Sequence, residues 1–415
     1  MQKVAIIGAG ISGLSMAHLL KDRYEVKLFE KESTPGGLIR CKQVNGGLFH
    51  VCGGHVFNAK FEDVRDWFWK FFDQDKEFVK TDRNSVVFME DGKHIPYPIE
   101  NHAYLFDEDT QKAIIKDLLN INKTGINGQD AKDFEDFLQQ RFGKTLYNLY
   151  FKPYNTKVWR RDLSTVPLKW LKGKLPMPTV EEILYNNFNH VEEKKFVHSR
   201  FWYERQGGSQ FIIDRLSQGL DITCNADIQE IKNENSHWIV NEEAFDKVVY
   251  CGNIKQLPSL LASIDFAGFT KEIDDLESHG TTSVFCQIDE NPYSWIYLPS
   301  DKHESHRIIC TGNFSPNNNS RENMMTGTVE FTDYISKDDI LDNLTRIPLH
   351  PKYLDHHYSK YTYPIQSSDT REMIMDLKTM LGKHNFYMTG RFADWEYYNM
   401  DAAIKASMNT NQIIK

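Results

Sequence analysis

The chain of 415 residues is too long for one ordinary hydrophobic core, so we expect two or three packed domains. About 40% of its residues are apolar, which is enough to fill such cores. The formal net charge of −9 argues against DNA or RNA as a partner, because nucleic-acid binding calls for a basic face. A small anionic substrate is compatible with this charge, since a few local cations can bind it.

The sequence indicates neither a metal site nor a membrane span. Its six cysteines form no CxxC pair and no cluster with zinc-ligand spacing, so we expect reduced thiols and no bound metal. The first residues form a strand and a glycine turn rather than a secretory signal, and no run approaches the ~18 apolar residues that span a bilayer. We therefore expect a soluble cytoplasmic enzyme. The oligomeric state stays open, with a homo-oligomer as one alternative.

A glycine-rich turn joins the first strand to the first helix. The run GAGISG occupies residues 8–13, between an apolar strand at 4–7 and a helix that we expect to continue to Lys21. A second strand at 25–29 ends in Glu30. This order of strand, turn, helix, strand and acid predicts a Rossmann-type dinucleotide-binding domain.

The residues of this turn have separate physical roles. Gly8 permits the tight bend, Gly10 lets the backbone approach a pyrophosphate, and Gly13 lets the helix pack on the strand. The helix N-terminus at Ile11 and Ser12 favours the phosphate charge. An acid at the end of the second strand accepts hydrogen bonds from ribose hydroxyls.

Two glycine segments favour FAD over NAD. Residues 34–37 (TPGG) follow the second strand closely, so the chain can lie against the middle of the cofactor. Near the chain end, a strand at 385–390 runs into Arg391, and a helix begins by Asp401. This segment would place a second phosphate contact and a helix N-terminus close together. The helix N-terminus would stabilise negative charge on a reduced flavin.

The remaining patterns place both chain ends in one domain. We expect strands at 221–231, 238–251, 283–287, 295–298, 307–311 and 328–331, and a helix at 211–218. We predict an α/β fold with a discontinuous Rossmann-type FAD-binding domain (1–95, 205–260 and 365–415). A mostly helical substrate-capping domain (96–204) and an antiparallel β-sheet substrate domain (261–364) are inserted into it.

Four further segments resemble the UDP-galactopyranose mutases, which belong to the flavin amine-oxidase superfamily. They are GGHVF at 53–57, DGKHIPYPI at 91–99, PYNTKVW at 153–159 and GR followed by YYNMD within 390–401. The third and fourth are much more specific than the glycine turn, and the resemblance covers nearly the whole chain. It implies an FAD-dependent nucleotide-sugar mutase that interconverts the pyranose and furanose forms of a UDP-sugar such as UDP-galactose, for cell-surface polysaccharide.

The resemblance also implies a mechanism. In such mutases the flavin must be reduced, and NAD(P)H is a candidate reductant. Flavin N5 attacks the anomeric carbon and expels the nucleoside diphosphate, and the sugar opens and recloses through a different hydroxyl before the diphosphate returns. The protein supplies positioning and charge stabilisation.

The resemblance assigns roles to individual residues. The candidate catalytic residues are His55 at the flavin face, Arg307 on the diphosphate, and Lys174 where the family has a second diphosphate arginine. The candidate substrate contacts are Trp159, Tyr297, Tyr363, Tyr397 and Asn155. The candidate cofactor contacts are Gly8, Gly10, Ile11, Ser12, Gly13, Glu30, Lys31, Gly37, Leu38, Gly53, Gly54, His55, Val56, Ile228, Gly390, Arg391, Tyr398, Asn399 and Met400.

Lysine at 174 departs from the family pattern. Lys174 keeps the positive charge but loses the planar bidentate fork of arginine, so another nucleotide sugar or another reaction stays open. Arg160 or Arg161 could compensate for this loss.

Two other functions stay open. An oxidase or dehydrogenase of the amine-oxidase superfamily needs aromatic residues around the flavin, which Trp395, Tyr397 and Tyr398 could supply. The PYNTKVW segment and Arg307 would then lack a purpose. A non-enzymatic protein that uses the flavin fold to bind a partner is the third reading, and the intact glycine turn argues against loss of the cofactor.

Overall fold

The computed structural model describes residues 1–125, 128, 130–168, 178–191, 200–320, 325–367 and 369–415. Its helices are α1 (Ile11–Leu20), α2 (Glu62–Phe68), α3 (Gln74–Glu77), α4 (Glu108–Thr124), α5 (Phe134–Leu146), α6 (Lys152–Trp159), α7 (Val180–Phe188), α8 (Ser209–Ser217), α9 (Leu257–Leu260), α10 (Thr270–Asp274), α11 (Lys337–Leu344), α12 (Thr370–Gly382) and α13 (Met400–Ile413). Its strands are β1 (Lys3–Ile7), β2 (Glu25–Phe29), β3 (Cys41–Val44), β4 (Gly47–His50), β5 (Phe78–Asp82), β6 (Ser85–Phe88), β7 (His94–Pro96), β8 (Arg200–Glu204), β9 (Asp221–Thr223), β10 (Ile231–Glu234), β11 (His237–Val240), β12 (Glu243–Phe245), β13 (Lys247–Tyr250), β14 (Glu277–Ile288), β15 (Trp295–Tyr297), β16 (Arg307–Ile309), β17 (Met325–Thr332), β18 (Lys352–Ile365) and β19 (Phe386–Met388).

A five-stranded parallel sheet brings the two ends of the chain together. Its strand order is β19-β13-β1-β2-β9, and all of its pairs are parallel. Val4, Ala5 and Ile6 of β1 are fully buried, as expected for a parallel strand covered on both faces. Helices α1 and α13 pack against each other. The predicted Rossmann-type fold is confirmed, and β1, β13 and β19 end at one edge of this sheet.

A seven-stranded sheet forms the second layer. Its order is β18-β14-β17-β16-β15-β6-β7, and its pairs are antiparallel except for β15 with β6. The β6–β7 hairpin lies in the range predicted for the FAD-binding domain, yet it extends this sheet, because β6 pairs with β15 and buries Val86 and Val87. The domain bounds themselves stay a prediction.

The strand predictions were right for short apolar runs and wrong for longer ones. The runs at 283–287, 295–298, 307–311 and 328–331 overlap β14, β15, β16 and β17, and 211–218 overlaps α8. A single strand at 221–231 is wrong, since β9 ends at Thr223 and β10 begins at Ile231. A single strand at 238–251 is also wrong, because Asn241 and Glu242 turn the chain with positive φ between β11 and β12.

The described part of 96–204 is largely helical, as predicted. Buried Ile114, Leu118, Phe137 and Leu146 belong to its core. Helix α6 carries the PYNTKVW segment, and Arg160 at its C-terminus donates to the Thr332 carbonyl at the end of β17, 2.8 Å away. No helix among the described residues is long and apolar enough to cross a membrane. All six cysteines are unpaired.

Candidate functional site

The glycine turn lies where the parallel strands end. Gly8 has φ +101°, and its N–H donates to the carbonyl of Phe29 at 2.8 Å. A Cβ on Gly13 would lie 1.9 Å from the Gly8 carbonyl oxygen, so only glycine lets α1 pack this close to β1. A Cβ on Gly10 would meet Gly37 at 3.7 Å, an ordinary contact within the protein. The glycine turn therefore lies close to the backbone of Gly36 and Gly37.

Glu30 closes this turn from the second strand. Its buried carboxylate accepts from the Ala9 N–H at 2.8 Å and from the Glu32 N–H at 3.0 Å. Its neighbour Lys31 is exposed and lies 3.9 Å from the Glu32 carboxylate. Ile228 lies between β9 and β10 and packs on the core of the parallel sheet. The structure thus brings Glu30 to the glycine turn and leaves Lys31 exposed.

The C-terminal glycine packs on the first helix. Gly390 has φ +118°, and a Cβ there would lie 3.1 Å from the Ser12 hydroxyl oxygen. Arg391 donates to the carbonyls of Tyr398 and Thr362, at 3.0 and 3.1 Å, and its guanidinium carbon lies 4.6 Å from the Tyr397 ring centroid. Arg391 therefore holds this loop against β18, a structural use that the predicted phosphate contact did not include.

Helix α13 starts directly after this loop. Asn399 is its N-cap residue and Met400 its first, buried residue. Burial raises the pKa of Tyr398, and Asp394 raises it further. The N-terminus of a second helix thus stands near the edge where Gly8 and Gly390 lie.

His55 presents an unpartnered nitrogen. Its Nε2 atom is buried and has no hydrogen-bond partner among the described residues. Burial lowers the pKa of His55 to about 4, with the charges of Arg391 and Arg307 adding to the effect, so the ring is neutral at neutral pH. A buried polar atom without a partner costs free energy, which a bound group with a matching donor or acceptor would recover.

Glu330 links the histidine turn to the candidate diphosphate arginine. It is fully buried, accepts from the Gly53 N–H at 3.0 Å and accepts from Nε of Arg307. Burial opposes the charge of Arg307, but the Glu330 carboxylate holds the pKa of Arg307 well above its usual value. The arginine also donates from Nη2 to the Tyr363 hydroxyl at 3.1 Å. A charged, fixed guanidinium therefore lies next to the turn that carries His55.

Tyrosines surround this arginine. The Tyr363 ring stacks on Tyr397 with centroids 5.3 Å apart. Tyr297 accepts from Nη2 of Arg83 at 2.8 Å, and its ring lies 5.5 Å from Tyr154. The structure thus brings Arg307, Tyr363 and Tyr397 together and places Tyr297 on the neighbouring strand, opposite Arg307 in register.

Sequence reasoning missed Arg83, Tyr154 and Glu330. Glu330 had a readable signal, because it is the only charged residue in the otherwise uncharged strand MTGTVEFT. A buried carboxylate requires a cationic or hydrogen-bonding partner. Tyr154 stood inside the PYNTKVW segment, and nothing local distinguished Arg83.

Other predicted residues lie elsewhere or outside the described part. Trp159 is buried in the helical core with its ring 6.3 Å from Phe134, and Asn155 donates back to the Phe151 carbonyl at 2.7 Å. Their substrate roles stay predictions. Lys174 lies outside the described residues.

The two arginines named as possible substitutes for the family arginine form ion pairs within the protein. Arg160 also pairs with Glu304 at 3.0 Å, and Arg161 pairs with Glu277, so both proposed substitutes for the missing arginine have protein partners.

The flanking loop residues also have defined places. Leu38 lies in the turn Gly37–Ile39, and Val56 packs on the helical core. A Cβ on Gly54 would lie 2.7 Å from Ile309 of β16, so the histidine turn lies directly on the seven-stranded sheet. No group of three or more His, Cys, Asp or Glu side chains among the described residues could hold a metal ion.

The fold and the glycine turn define a protein that contains a Rossmann-like domain. Residues 6–74 match the family of NAD(P)-binding Rossmann-like domains. Over a larger part of the chain, the similarity is to nucleotide-sugar mutases. The chain is 26% identical over 337 residues to the probable UDP-galactopyranose mutase of Klebsiella pneumoniae, covering 76% of this chain and 78% of that protein. It is 22% identical over 435 residues to the dTDP-fucopyranose mutase of Escherichia coli, covering 100% and 98%.

Solved structures agree with this fold. A reduced UDP-galactopyranose mutase superposes with a TM-score of 0.87 at 20% identity, covering 99% of this chain and 93% of that chain. A putative protoporphyrinogen oxidase from Exiguobacterium superposes with a TM-score of 0.75 at 13% identity, covering 99% and 98%. The predicted fold class and the predicted resemblance to the mutases are confirmed.

Proposed function

We propose that the chain is an FAD-dependent nucleotide-sugar mutase that interconverts the pyranose and furanose forms of a nucleoside-diphosphate sugar. The observation that carries the proposal is the position of Glu330, which binds both the Gly53 N–H and Arg307. This carboxylate fixes Arg307, the candidate cation for a diphosphate, next to the turn that carries His55. A mutase needs this adjacency, because the anomeric carbon next to the diphosphate must reach the flavin.

The residues present fit an FAD. The N-terminus of α1 and the glycine turn before it would hold the pyrophosphate, and Glu30 would bind the ribose. The unpartnered Nε2 of His55 and the N-terminus of α13 would face the ring. When bound and reduced, the flavin supplies a nucleophile for the anomeric carbon, so the reaction involves no net electron transfer.

The protein's own part is binding and charge stabilisation. The guanidinium of Arg307 would neutralise the diphosphate as it leaves the sugar, and the hydroxyl groups of Tyr363, Tyr397 and Tyr297 would donate hydrogen bonds to its oxygens. Because Glu330 fixes Arg307 in advance, little reorganisation is needed when charge develops. Burial keeps His55 neutral, so it acts as a hydrogen-bonding group toward the ring.

The names of the relatives suggest two candidates for the nucleotide base and the sugar of the substrate. One relative acts on UDP-galactopyranose and the other on dTDP-fucopyranose, so both nucleotide sugars are candidates. We further propose that the enzyme works in the cytoplasm with NADH or NADPH as reductant.

The deciding experiment uses the purified protein with and without dithionite. Each candidate sugar, UDP-galactopyranose and dTDP-fucopyranose, is incubated with oxidised and with reduced protein, and its furanose form is separated by chromatography. Conversion by the reduced protein alone supports the mutase. A preparation that takes up FAD but converts neither sugar in either state contradicts it.

An amine oxidase is the weaker alternative. Trp395, one of the aromatic residues that could surround a flavin, is fully buried, and its indole N–H donates to the Ile365 carbonyl at 2.9 Å. It is therefore a core residue. Rapid oxygen-dependent reoxidation of the reduced protein, coupled to turnover of an added amine, would favour the oxidase.

A further inference from the structure

Lys157 of the PYNTKVW segment has no role in the proposed reaction, yet it makes several hydrogen bonds. From helix α6 its ammonium donates to the carbonyls of Leu298 and Ser305 at 2.9 Å each, and also to the carbonyl of Ser300. These acceptors all lie in the loop that joins β15 to β16. One side chain thus binds the beginning, the middle and the end of this loop.

This loop connects two residues of the candidate diphosphate site. Tyr297 is the last residue of β15, directly before the first acceptor, and Arg307 is the first residue of β16, two positions after the last acceptor. The two residues are register partners at the end of the β15–β16 ladder, where a shift of the loop would act on both. Catalytic and binding groups tolerate little displacement of this kind.

The number of hydrogen-bond donors on the Lys157 ammonium equals the number of loop carbonyls that it contacts. A protonated lysine carries three N–H donors and no acceptor, and three carbonyl oxygens receive them. Other side-chain contacts hold the middle of the same loop: Arg160 pairs with Glu304, the Asn343 side chain accepts from the Glu304 N–H at 2.7 Å, and Lys302 pairs with Glu90 at 2.8 Å. At the loop ends, the Leu298 N–H donates to the His306 carbonyl at 2.9 Å, and Lys157 adds side-chain contacts to this backbone contact.

We propose that Lys157 is a positioning residue, which holds Tyr297 and Arg307 in the relative arrangement that binds the diphosphate of the substrate. The inference rests on the proposed function for the identity of that ligand. It assigns the lysine of the PYNTKVW segment to the loop, without contact to substrate or cofactor.

The arrangement also predicts a dependence on pH. Burial lowers the pKa of Lys157 to about 7, while the carboxylates of Asp301 and Glu304 oppose the shift. His303 and His306 also interact with Lys157, while Arg346 acts on His303 and Arg160 pairs with Glu304. A neutral amine keeps two N–H donors, so one carbonyl loses its partner as the pH rises through about 7. Substrate affinity should then weaken.

The test compares Lys157→Met with the conservative Lys157→Arg and with the matched control Lys152→Met. Lys152 is an exposed lysine on the same helix. Affinity for UDP-galactopyranose and for dTDP-fucopyranose is measured by calorimetry at about pH 6 and about pH 8.5, since these diphosphates have no proton that titrates between those values. Thermal unfolding is recorded first, and Lys157→Gln replaces the methionine variant if that variant does not fold.

The expected result is a roughly tenfold to hundredfold weaker affinity for Lys157→Met at the lower pH. Lys157→Arg should recover part of this loss, and Lys152→Met should bind like the unmodified protein. The unmodified protein should bind more weakly at the higher pH, whereas Lys157→Met should show the same affinity at both values. Amide hydrogen exchange in residues 298–306 should become faster in Lys157→Met only.

The outcomes separate this inference from the proposed function. Full nucleotide-sugar affinity in a folded Lys157→Met variant overturns the positioning role, whether or not hydrogen exchange in the loop becomes faster, and leaves the mutase proposal standing. An unmodified protein that binds neither nucleotide sugar overturns the mutase proposal, and the positioning role fails with it.

Discussion

The phenol rings of Tyr363 and Tyr397 lie parallel, with their centroids 5.3 Å apart and their planes inclined by 6°. Arg391 lies over the Tyr397 ring, and Arg307 donates to the Tyr363 hydroxyl. Two cations therefore flank one stacked pair. Because Tyr363 belongs to β18 and Tyr397 to the loop after β19, the pair connects the two sheets at the candidate site.

The stack predicts different effects for two substitutions of Tyr397. Tyr397→Leu removes both the stacking and the cation–π contact, so we expect a loss of about 1–2 kcal/mol in the free energy of unfolding. Tyr397→Phe keeps the ring and should lose little stability, while the missing hydroxyl weakens nucleotide-sugar binding. Denaturant unfolding and calorimetric titration measure the two effects. Equal stability of the two variants would show that the ring contacts contribute nothing.

Arg307 requires a design that separates binding from folding. Arg307→Ala leaves the carboxylate of Glu330 buried without its cation, so we expect a loss of stability of about 3–5 kcal/mol in addition to weak nucleotide binding. The double variant Arg307→Ala with Glu330→Gln removes the unpaired charge. It should recover much of the stability, with flavin content intact, while nucleotide-sugar affinity stays at least tenfold below that of the unmodified protein.

The control for this series is Arg161→Ala, which breaks the more exposed ion pair with Glu277. Such a pair is worth about 0–1 kcal/mol, so stability and affinity should change little. If the double variant binds nucleotide sugars as tightly as the unmodified protein, Arg307 does not belong to the diphosphate site.

The parts of the candidate site that depend on residues close together in the sequence could be predicted. The turn at 8–13 is preceded by a strand and followed by a helix, a second strand and Glu30, all within about 25 residues. The parallel sheet and its candidate binding edge therefore follow from the sequence. The link between Arg307 and Glu330 depends on strand register, because these residues stand opposite each other on β16 and β17. No local pattern states that register, so the isolated charge of Glu330 could not be connected with Arg307 from the sequence.

The long strand β18 was missed for a related reason. Its sequence, KYLDHHYSKYTYPI, lacks a clean alternation of apolar and polar residues, and most of its side chains are only half-buried. Pairing with β14 along its length holds it in the sheet. For 238–251 the error was the reverse, because more strand was predicted than the structure contains. Its apolar residues were interpreted as one strand, although the chain turns at Asn241 and Glu242.

The glycine turn predicts a contrast between two alanine substitutions. Gly10 has φ −77°, which alanine adopts freely, and its added Cβ meets only ordinary contacts within the protein. Gly10→Ala should therefore fold as stably as the flavin-free unmodified protein. It should bind FAD at least tenfold more weakly, because the methyl group would stand against Gly37, where the backbone is proposed to contact the cofactor. Gly13→Ala should fail to fold, since its Cβ would lie 1.9 Å from a backbone oxygen. FAD titration followed by absorbance, together with thermal unfolding, tests both; tight FAD binding by Gly10→Ala would contradict the assignment of this crevice.

Acid should destabilise the protein through its buried neutral histidines, and His50 allows a clean test. Burial lowers the pKa of His50 to about 3, while its ring nitrogens lie 2.8 Å from the Tyr203 hydroxyl and 3.2 Å from the Ser209 hydroxyl. Between pH 6.5, the ordinary pKa of histidine, and about 3, the unfolded chain binds a proton that the folded chain excludes. The free energy of unfolding therefore falls as the pH is lowered through this range, by up to about 1.4 kcal/mol per pH unit for this one group.

The variant His50→Gln should show a shallower dependence of stability on pH, by about that slope between about pH 6 and pH 4.5, although its stability at neutral pH is also lower because the hydrogen bonds change. The matched substitution His384→Gln, at an exposed histidine, should leave the slope as it is. Urea unfolding at several pH values measures each slope. If His50→Gln and the unmodified protein lose stability in parallel on acidification, His50 titrates alike in the folded and unfolded chains. In that case burial does not hold its ring neutral.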